Sequence, residues 1–250
     1  TGTILKGESG ANDPVGIALM IGMIELATSD DGSFWSVVEE FAVEMLGGGA
    51  VGAGGAFLLV PLLRRLPLPS PALYPLRMLA AAGVIYGAAT LVNGSGFLAV
   101  FVAGILIGDR ALPHREEVDG FLSSLGSLAE IVMFVALGLT IDLTEVVDSG
   151  AWVDGLVLAV LLGFAIRPLV VLVLLLPVQL AWGERLFVAW SGLKGAVPIL
   201  LAALALIGGV DDGAEIYDVV FVVVLFSVLV QGTLLPLVAR RLDVPLQRVD

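Results

Sequence analysis

The chain has 250 residues, of which 58% are hydrophobic and only 14% are charged, and its formal net charge is −12. Because about a quarter of the residues in soluble domains are charged, this composition indicates an integral membrane protein. The chain contains no cysteine, which excludes disulfides, thiolate metal sites and cysteine nucleophiles. Its acidic balance also argues against nucleic-acid binding, which requires a basic surface.

Apolar stretches long enough to cross a bilayer recur along the whole chain. About 20 apolar residues suffice for one spanning helix. The pattern predicts an all-α polytopic membrane bundle of about eight segments, at approximately 10–29, 36–62, 72–92, 95–108, 123–141, 152–178, 186–207 and 216–239. The fourth segment is short, whereas the second and sixth are long enough to tilt.

The distribution of basic residues predicts an orientation, since Lys and Arg collect in cytoplasmic loops. If the first residue lies inside, ten of the twelve basic residues fall on the cytoplasmic side, and Arg167 and Lys194 fall within segments. The opposite loops are acidic, at 28–33, 142–154 and 211–218. We therefore expect both ends of this chain to be cytoplasmic, and the negative outer face to enrich cations.

Among the ionisable residues in or beside the predicted segments, where a charge is costly and normally faces a cavity or a partner, five are candidates for a functional role. They are Glu8, Asp13, Glu130, Arg167 and Lys194. Each one alone is compatible with a packing ion pair or with a side chain that extends to the membrane surface. All five together favour a transport path. Glu130 and Arg167 have comparable depth on the fifth and sixth segments, which predicts a structural ion pair, with a role in the ion path as the alternative.

Asp13 is followed by Pro14, which is the pattern of a helix N-cap followed by the first helical residue. Proline also removes a backbone donor and predicts an interruption of the helix at this level. In many transporters a helix that begins at mid-membrane places its first amides and a carboxylate in one polar cavity. The two interpretations of Asp13, as a cap and as a transport residue, are compatible.

Lys194 lies in the stretch GLKGAVPILLA, where Gly192, Gly195 and Pro198 disfavour a regular helix. We therefore predict a second irregular element here. Such elements occur at membrane depth only when buried in protein or lining a cavity.

The GGGAVG stretch at 47–52 is interpreted as a site of close helix approach rather than a dinucleotide site, since no strand precedes it. His114 is expected to be a solvated loop residue, with pH sensing as the alternative.

The block GESGANDP at 7–14 and the block GLKGAVP at 192–198 together resemble the monovalent cation:proton antiporters of the NhaP type and related exchangers. The resemblance extends over essentially the whole chain and includes EIVMFVALGL at 130–139 and the Arg-Pro pair that begins at Arg167. Members of this family are larger, and an earlier broken helix with a Thr-Asp-Pro element is missing here. We therefore expect residues 1–250 to be the C-terminal part of an exchanger membrane domain.

The resemblance implies an inverted-repeat transporter architecture with broken helices. It implies that Asp13 alternately binds a proton or a monovalent cation, Na⁺ or K⁺, with Ser9 and Asn12 at the same cation site. Glu8 would pair with Lys194. Many members have arginine at the position of Lys194, and a lysine cannot make the same bidentate pair with a carboxylate. No other metal ion is expected.

Asn12 replaces the second acid of the electrogenic branch, which implies that one proton is exchanged for one cation without net charge movement. The resemblance further implies a homodimer in the prokaryotic plasma membrane that serves pH homeostasis, is not an enzyme, has no cofactor, and contacts lipid but no nucleic acid.

Two alternatives to an exchanger are a passive cation channel and a non-transporting membrane scaffold. A channel would favour a repeated selectivity sequence or rings of like residues, and a scaffold would tolerate loss of the buried acids.

Overall fold

The structure, a computed structural model, describes the backbone of residues 2–29, 33–108, 110, 113–192 and 195–244, and within these ranges it describes the side chains except those of 2–6, 8, 9, 11 and 196. All regular secondary structure in the described ranges is helical, which confirms the predicted all-α class. The helices are α1 (Gly2–Thr28), α2 (Phe34–Arg65), α3 (Leu73–Leu91), α4 (Gly96–Gly108), α5 (Arg115–Thr140), α6 (Leu143–Asp148), α7 (Ala151–Leu161), α8 (Arg167–Leu174), α9 (Trp182–Trp190), α10 (Ala196–Ile207), α11 (Gly213–Phe226) and α12 (Thr233–Arg241). A π-helical turn at Leu162–Ile166 joins α7 to α8, and another at Ser227–Gly232 joins α11 to α12.

Four helical stretches among the described residues are long and apolar enough to cross a bilayer. They are Phe34–Arg65, Arg115–Thr140, Ala151–Leu174 and Gly213–Arg241, and two shorter apolar helices lie at Gly96–Gly108 and Val197–Ile207. The protein is therefore a multi-pass membrane protein. The predicted count of eight spans is not confirmed by the helices of the described ranges.

The chain forms two compact units. The first, here called the amino-terminal unit, comprises Ser9–Val135, and the second, the carboxy-terminal unit, comprises Thr1–Glu8 and Ala136–Asp250. The glycine-rich second segment, 36–62, therefore lies in the amino-terminal unit, and the seventh segment, 186–207, lies in the carboxy-terminal unit.

Small residues bring α2 and α4 together in the amino-terminal unit. A Cβ atom added at Gly48 would lie 2.5 Å from the Ser95 carbonyl oxygen, and one added at Gly52 would lie 2.9 Å from the Ala99 Cα. Only residues without a side chain permit this approach of two backbones. The prediction that the glycines of 47–52 serve helix packing is confirmed at these positions.

An apolar cluster extends the α2–α4 contact to α3. Its buried members are mostly small or β-branched, as expected where helices approach closely, and they are Ala56, Leu63, Ile85, Ala89, Ala99, Ala103 and Ile107. In the carboxy-terminal unit α7 packs on α11 in the same manner, because a Cβ atom added at Gly155 would lie 2.6 Å from the Val222 Cβ. Each unit thus has its own close-packed helix pair.

The acidic loop predicted between the fifth and sixth segments contains a helix that the sequence pattern did not indicate. Asp142 precedes α6 with an extended backbone, and its Oδ1 accepts hydrogen bonds from the Thr144 amide at 2.9 Å and the Glu145 amide at 3.4 Å. Asp142 is therefore the N-cap of α6, because it binds two of the amides that the first turn leaves unsatisfied.

The hydrogen bonds from the Thr144 and Glu145 amides hold the pKa of Asp142 below its usual range. Since the folded pKa is depressed below the unfolded value of about 4, the stabilisation is present above about pH 4 and lost as pH falls through the folded pKa. Asn also caps helices but does not titrate. We expect the wild-type protein to melt above Asp142→Asn at neutral pH, and this difference to shrink below about pH 4. A difference in melting temperature that is independent of pH would contradict this assignment.

Candidate functional site

Helix α1 passes through Asp13 and Pro14 without interruption. It runs from Gly2 to Thr28 with Pro14 inside it, so the expectations that Asp13 is an N-cap and that the helix begins or unwinds there are wrong. Membrane helices tolerate proline because neighbouring groups satisfy the freed backbone. The lost donor has a local consequence, since the Gly10 carbonyl lacks the bond that it would otherwise accept from the residue at position 14.

Asp13 lies three residues after a contact between α1 and α4. Gly10 packs against the Phe101 ring, which occupies the space that a Cβ atom at residue 10 would need. Asp13 is half-buried, Pro14 is buried and Asn12 is exposed. Adjacent helical residues are about 100° apart around the axis, so Asn12 and Asp13 leave the helix on neighbouring faces.

Two other residues of the expected cation site belong to the same helix. Glu8 and Ser9 are helical in backbone, but their side chains lie outside the described set. The participation of Ser9 in cation binding is therefore untested and remains a prediction.

Four carboxylates line a cavity of about 530 Å³ near the other end of α1. Glu25 comes from α1, while Glu39, Glu40 and Glu44 come from α2. Glu25 is twelve residues beyond Asp13 on the same helix, or about 18 Å at 1.5 Å per residue. This acidic cavity was not predicted, although the spacing of four between Glu40 and Glu44 was a usable signal because it puts both on one helix face.

The helix predicted to be irregular around Lys194 is broken. Helix α9 ends at Trp190 and α10 begins at Ala196, with the described residues between them outside any helix. This confirms the prediction based on Gly192, Gly195 and Pro198. Lys194 itself lies outside the described residues, so its pairing with Glu8 remains a prediction.

Arg167 stabilises the end of the broken helix. Its Nε donates a hydrogen bond to the Ala189 carbonyl at 3.2 Å, and a guanidinium at a helix C-terminus compensates the carbonyls left free there. Gly192 packs directly against the Arg167 guanidinium, where a Cβ atom has no room. Glu130 is an exposed residue of α5 in the other unit, and its pairing with Arg167 remains a prediction.

A buried polar pair at the second π-helical turn also contacts the broken helix. Ser227 Oγ donates to Gln231 Oε1 at 2.9 Å, and the indole Nε1 of Trp190, the last residue of α9, donates to the Gln231 carbonyl at 3.3 Å. Within the described ranges, Gln231 Nε2 is buried without a hydrogen-bond partner. Sequence reasoning missed this pair, although two polar residues four apart in an apolar segment were a visible signal.

Among the described carboxylates expected in the acidic outer loops, one is buried within a helix. Asp218 belongs to α11 and is buried, whereas the charge pattern placed it outside the membrane. Helix α11 begins at Gly213, three residues before the predicted segment, and the Tyr217 hydroxyl is 3.1 Å from the Thr140 hydroxyl at the end of α5.

The family model described as sodium/hydrogen exchanger, transmembrane, matches residues 1–241. The chain belongs to the sodium/hydrogen exchanger family. The matched residues of this exchanger-family chain include α1 with Asp13 and the broken helix around residue 194. The resemblance carried by the two sequence blocks is thus confirmed.

Named relatives of this exchanger-family chain are bacterial antiporters. It is 38% identical over 243 residues to the K(+)/H(+) antiporter NhaP of Alkalimonas amylolytica, which covers 96% of this chain and 42% of the relative. It is 34% identical over 252 residues to the K(+)/H(+) antiporter NhaP2 of Shewanella sp. strain ANA-3, an alignment that covers 98% of this chain and 43% of the relative. The Na(+)/H(+) antiporter NhaH of Halobacillus aidingensis is 28% identical to it over 256 residues, an alignment that covers 96% of this chain and 61% of the relative. The chain spans less than half the length of the first two relatives.

Proposed function

We propose that this chain is part of a secondary active transporter that exchanges a monovalent cation, Na⁺ or K⁺, for a proton. The observation that carries the proposal is the half-buried Asp13 inside α1 of an exchanger-family chain, directly before a proline. The relatives are named as K⁺/H⁺ and Na⁺/H⁺ antiporters, which supports both the activity and the class of substrate.

Competition for one carboxylate accounts for the exchange. A bare charge within the bilayer is costly, so Asp13 is neutralised either by a proton or by a bound cation. The Gly10 carbonyl, deprived of its helical donor by Pro14, is an oxygen ligand one turn away, and carbonyl oxygens replace the hydration shell of monovalent cations. If the site is exposed alternately to the two sides, each cation bound on one side displaces a proton that was acquired on the other.

The acidic cavity of Glu25, Glu39, Glu40 and Glu44 supports cation supply from the outer face. Several carboxylates around one opening raise the local cation concentration. Because Glu25 and Asp13 are on one helix, the cavity lies toward one end of the helix that carries the proposed site.

The remaining site residues are assigned supporting roles. We place Ser9 and Asn12 at the cation site, and Glu8 in an ion pair with Lys194 that stabilises the broken helix. Removing one partner of a buried pair costs about 3 to 5 kcal/mol because it leaves a charge unpaired. Glu8→Gln and Lys194→Gln should therefore each lower the melting temperature more than the double variant does. Additive losses would argue against contact.

The proposed setting is the plasma membrane of a prokaryote, with a homodimer as the assembly and residues 1–250 as the C-terminal part of the membrane domain. Both ends of this chain are placed in the cytoplasm. Residues 1–250 contain no cysteine, so single cysteines introduced at Arg65 and Thr144 of a cysteine-free full-length protein should be labelled from opposite sides by a membrane-impermeant maleimide. Labelling of both from one side would refute this orientation.

Flux measurements on the full-length protein in proteoliposomes test the activity. A gradient of Na⁺ or K⁺ should drive proton movement against its own gradient, because exchange couples the two. Cation flux without coupled proton movement would favour a passive channel, and absence of both fluxes would favour a scaffold.

The exchange is expected to be electroneutral, because Asn12 cannot titrate and Asp13 alone changes its proton occupancy. A voltage of 100 mV is worth about 2.3 kcal/mol per charge moved, so an electroneutral cycle keeps its reversal point when the voltage is clamped. Na⁺/H⁺ exchange should be measured with the voltage set by K⁺ and valinomycin, and K⁺/H⁺ exchange separately with another voltage clamp. A reversal point that shifts with voltage would indicate a second proton carrier, for which Lys194 is the candidate.

A further inference from the structure

A second cavity, of about 170 Å³, lies where four helix ends of the amino-terminal unit meet. Its described lining comes from the end of α2, the start of α3, the end of α4 and the start of α5, together with Arg110 and Pro113. Because spanning helices end near the membrane surface, this cavity lies at the level of the lipid headgroups. The charge pattern places these ends on the cytoplasmic side.

The cavity has an apolar interior and a basic rim. Leu63, Met78, Ile107, Val118 and Leu122 supply apolar walls, while Arg77, Arg110 and Arg115 supply charge. One described carboxylate also lines it, that of Asp119, whose Oδ2 is 3.4 Å from Arg115 Nε. The described lining thus carries three positive charges against one negative charge.

The three arginines of the lining have two kinds of environment. The Arg77 guanidinium donates hydrogen bonds to the Leu66 and Leu63 carbonyls at 2.6 and 3.2 Å, so it caps the C-terminal end of α2. Arg110 and Arg115 are exposed, so a ligand entering the cavity can reach their guanidinium groups. Arginine is well suited to such a role because its planar fork binds the oxygens of a phosphate bidentately.

We propose that this cavity binds one anionic phospholipid of the cytoplasmic leaflet. The phosphate contacts Arg110 and Arg115, and part of an acyl chain enters the apolar interior. The cytoplasmic leaflet is the anionic one, and basic pockets between membrane helices on that side bind anionic headgroups. The cavity is smaller than pockets that enclose whole drug-sized ligands, so most of the lipid remains in the bilayer. This site is separate from Asp13 and does not depend on the proposed exchange.

Native mass spectrometry of the full-length protein, titrated with phosphatidylglycerol or with phosphatidylcholine of the same acyl chains, tests the proposal. We expect tighter retention of phosphatidylglycerol. Replacing Arg110 and Arg115 together by Gln should weaken it roughly thirtyfold, the loss expected for two arginines at a membrane surface. Replacing both by Lys keeps the charge but not the bidentate fork, so this variant should bind more tightly than the Gln variant and less tightly than the wild type, which separates loss of charge from misfolding.

The cavity itself is tested by filling it. Gly104 lines it and has no described atom within 4 Å of a Cβ position, so Gly104→Leu fills the cavity and leaves the arginines intact. This variant should also lose phosphatidylglycerol. Gly83→Leu, at another uncrowded helical glycine outside the lining, and Arg240→Gln with Arg241→Gln, at the end of α12, should bind as wild type.

Four outcomes would overturn the proposal. They are equal retention of phosphatidylcholine, an equal loss in the Arg240 and Arg241 variant, unchanged binding by Gly104→Leu, and competition by soluble glycerol phosphate at the lipid concentration. The last outcome would mean that the basic rim binds a free phosphate rather than a lipid.

Discussion

Replacing Asp13 with Asn is expected to abolish cation-driven proton movement by the full-length protein in proteoliposomes. The substitution preserves the shape of the side chain but removes the group proposed to bind the proton and the cation alternately. Because Asp13 is only half-buried and α1 is continuous around it, the variant should keep its fold and its melting temperature near that of the wild type. Wild-type exchange by this variant would refute the assignment.

Two carboxylate-to-amide controls separate the carrier from the acidic surroundings. Asp154→Asn makes the same chemical change at an exposed position in the first turn of α7 and should exchange as wild type. Glu25→Gln lies in the acidic cavity and should exchange, with a higher cation concentration for half-maximal rate. The difference between Glu25→Gln and the wild type in this half-maximal concentration should diminish above about 0.1 M added salt, since screening weakens the attraction of cations to the cavity. Loss of all exchange in Glu25→Gln would instead place the carrier in the cavity.

The broken helix around residue 194 was predictable because its cause is local. Gly192, Gly195 and Pro198 lie within seven residues of one another, and each disfavours a helix for a reason contained in its own backbone. The all-α class was predictable for a similar reason, since apolar stretches in a bilayer must satisfy their own hydrogen bonds. Family membership followed from two short blocks that lie about 180 residues apart.

The continuous path of α1 through Pro14 was not predictable from the same rules. Pro14 reads as a helix start when only its neighbours in sequence are considered, but it is buried, and Gly10 packs on Phe101 one turn away. Tertiary packing therefore outweighed the local preference. The acidic cavity and the contact of Gln231 with Trp190 were missed because they join residues from different helices, and helical periodicity specifies a face but not its neighbour.

A methyl group at Gly52 is expected to destabilise the amino-terminal unit. In Gly52→Ala the Cβ atom would lie 2.9 Å from the Ala99 Cα and closer still to the Ala99 carbonyl oxygen, and neither backbone atom can rotate away. Helices α2 and α4 must then separate, and overpacking of this kind costs about 1 to 3 kcal/mol. The variant should therefore show a lower melting temperature in detergent.

Gly54→Ala is the matched control, because Gly54 lies in the same helix and has no described atom within 4 Å of a Cβ position. Alanine is favoured over glycine in helices by up to about 1 kcal/mol, so this variant should be as stable as the wild type or more stable. Helix α4 also carries Phe101, which packs on Gly10 one turn from Asp13. Displacing α4 therefore alters the position of the proposed carrier, and Gly52→Ala should lose exchange activity as well as stability. Equal stability of the two variants would show that the α2–α4 contact adjusts without cost and does not hold Asp13 in place.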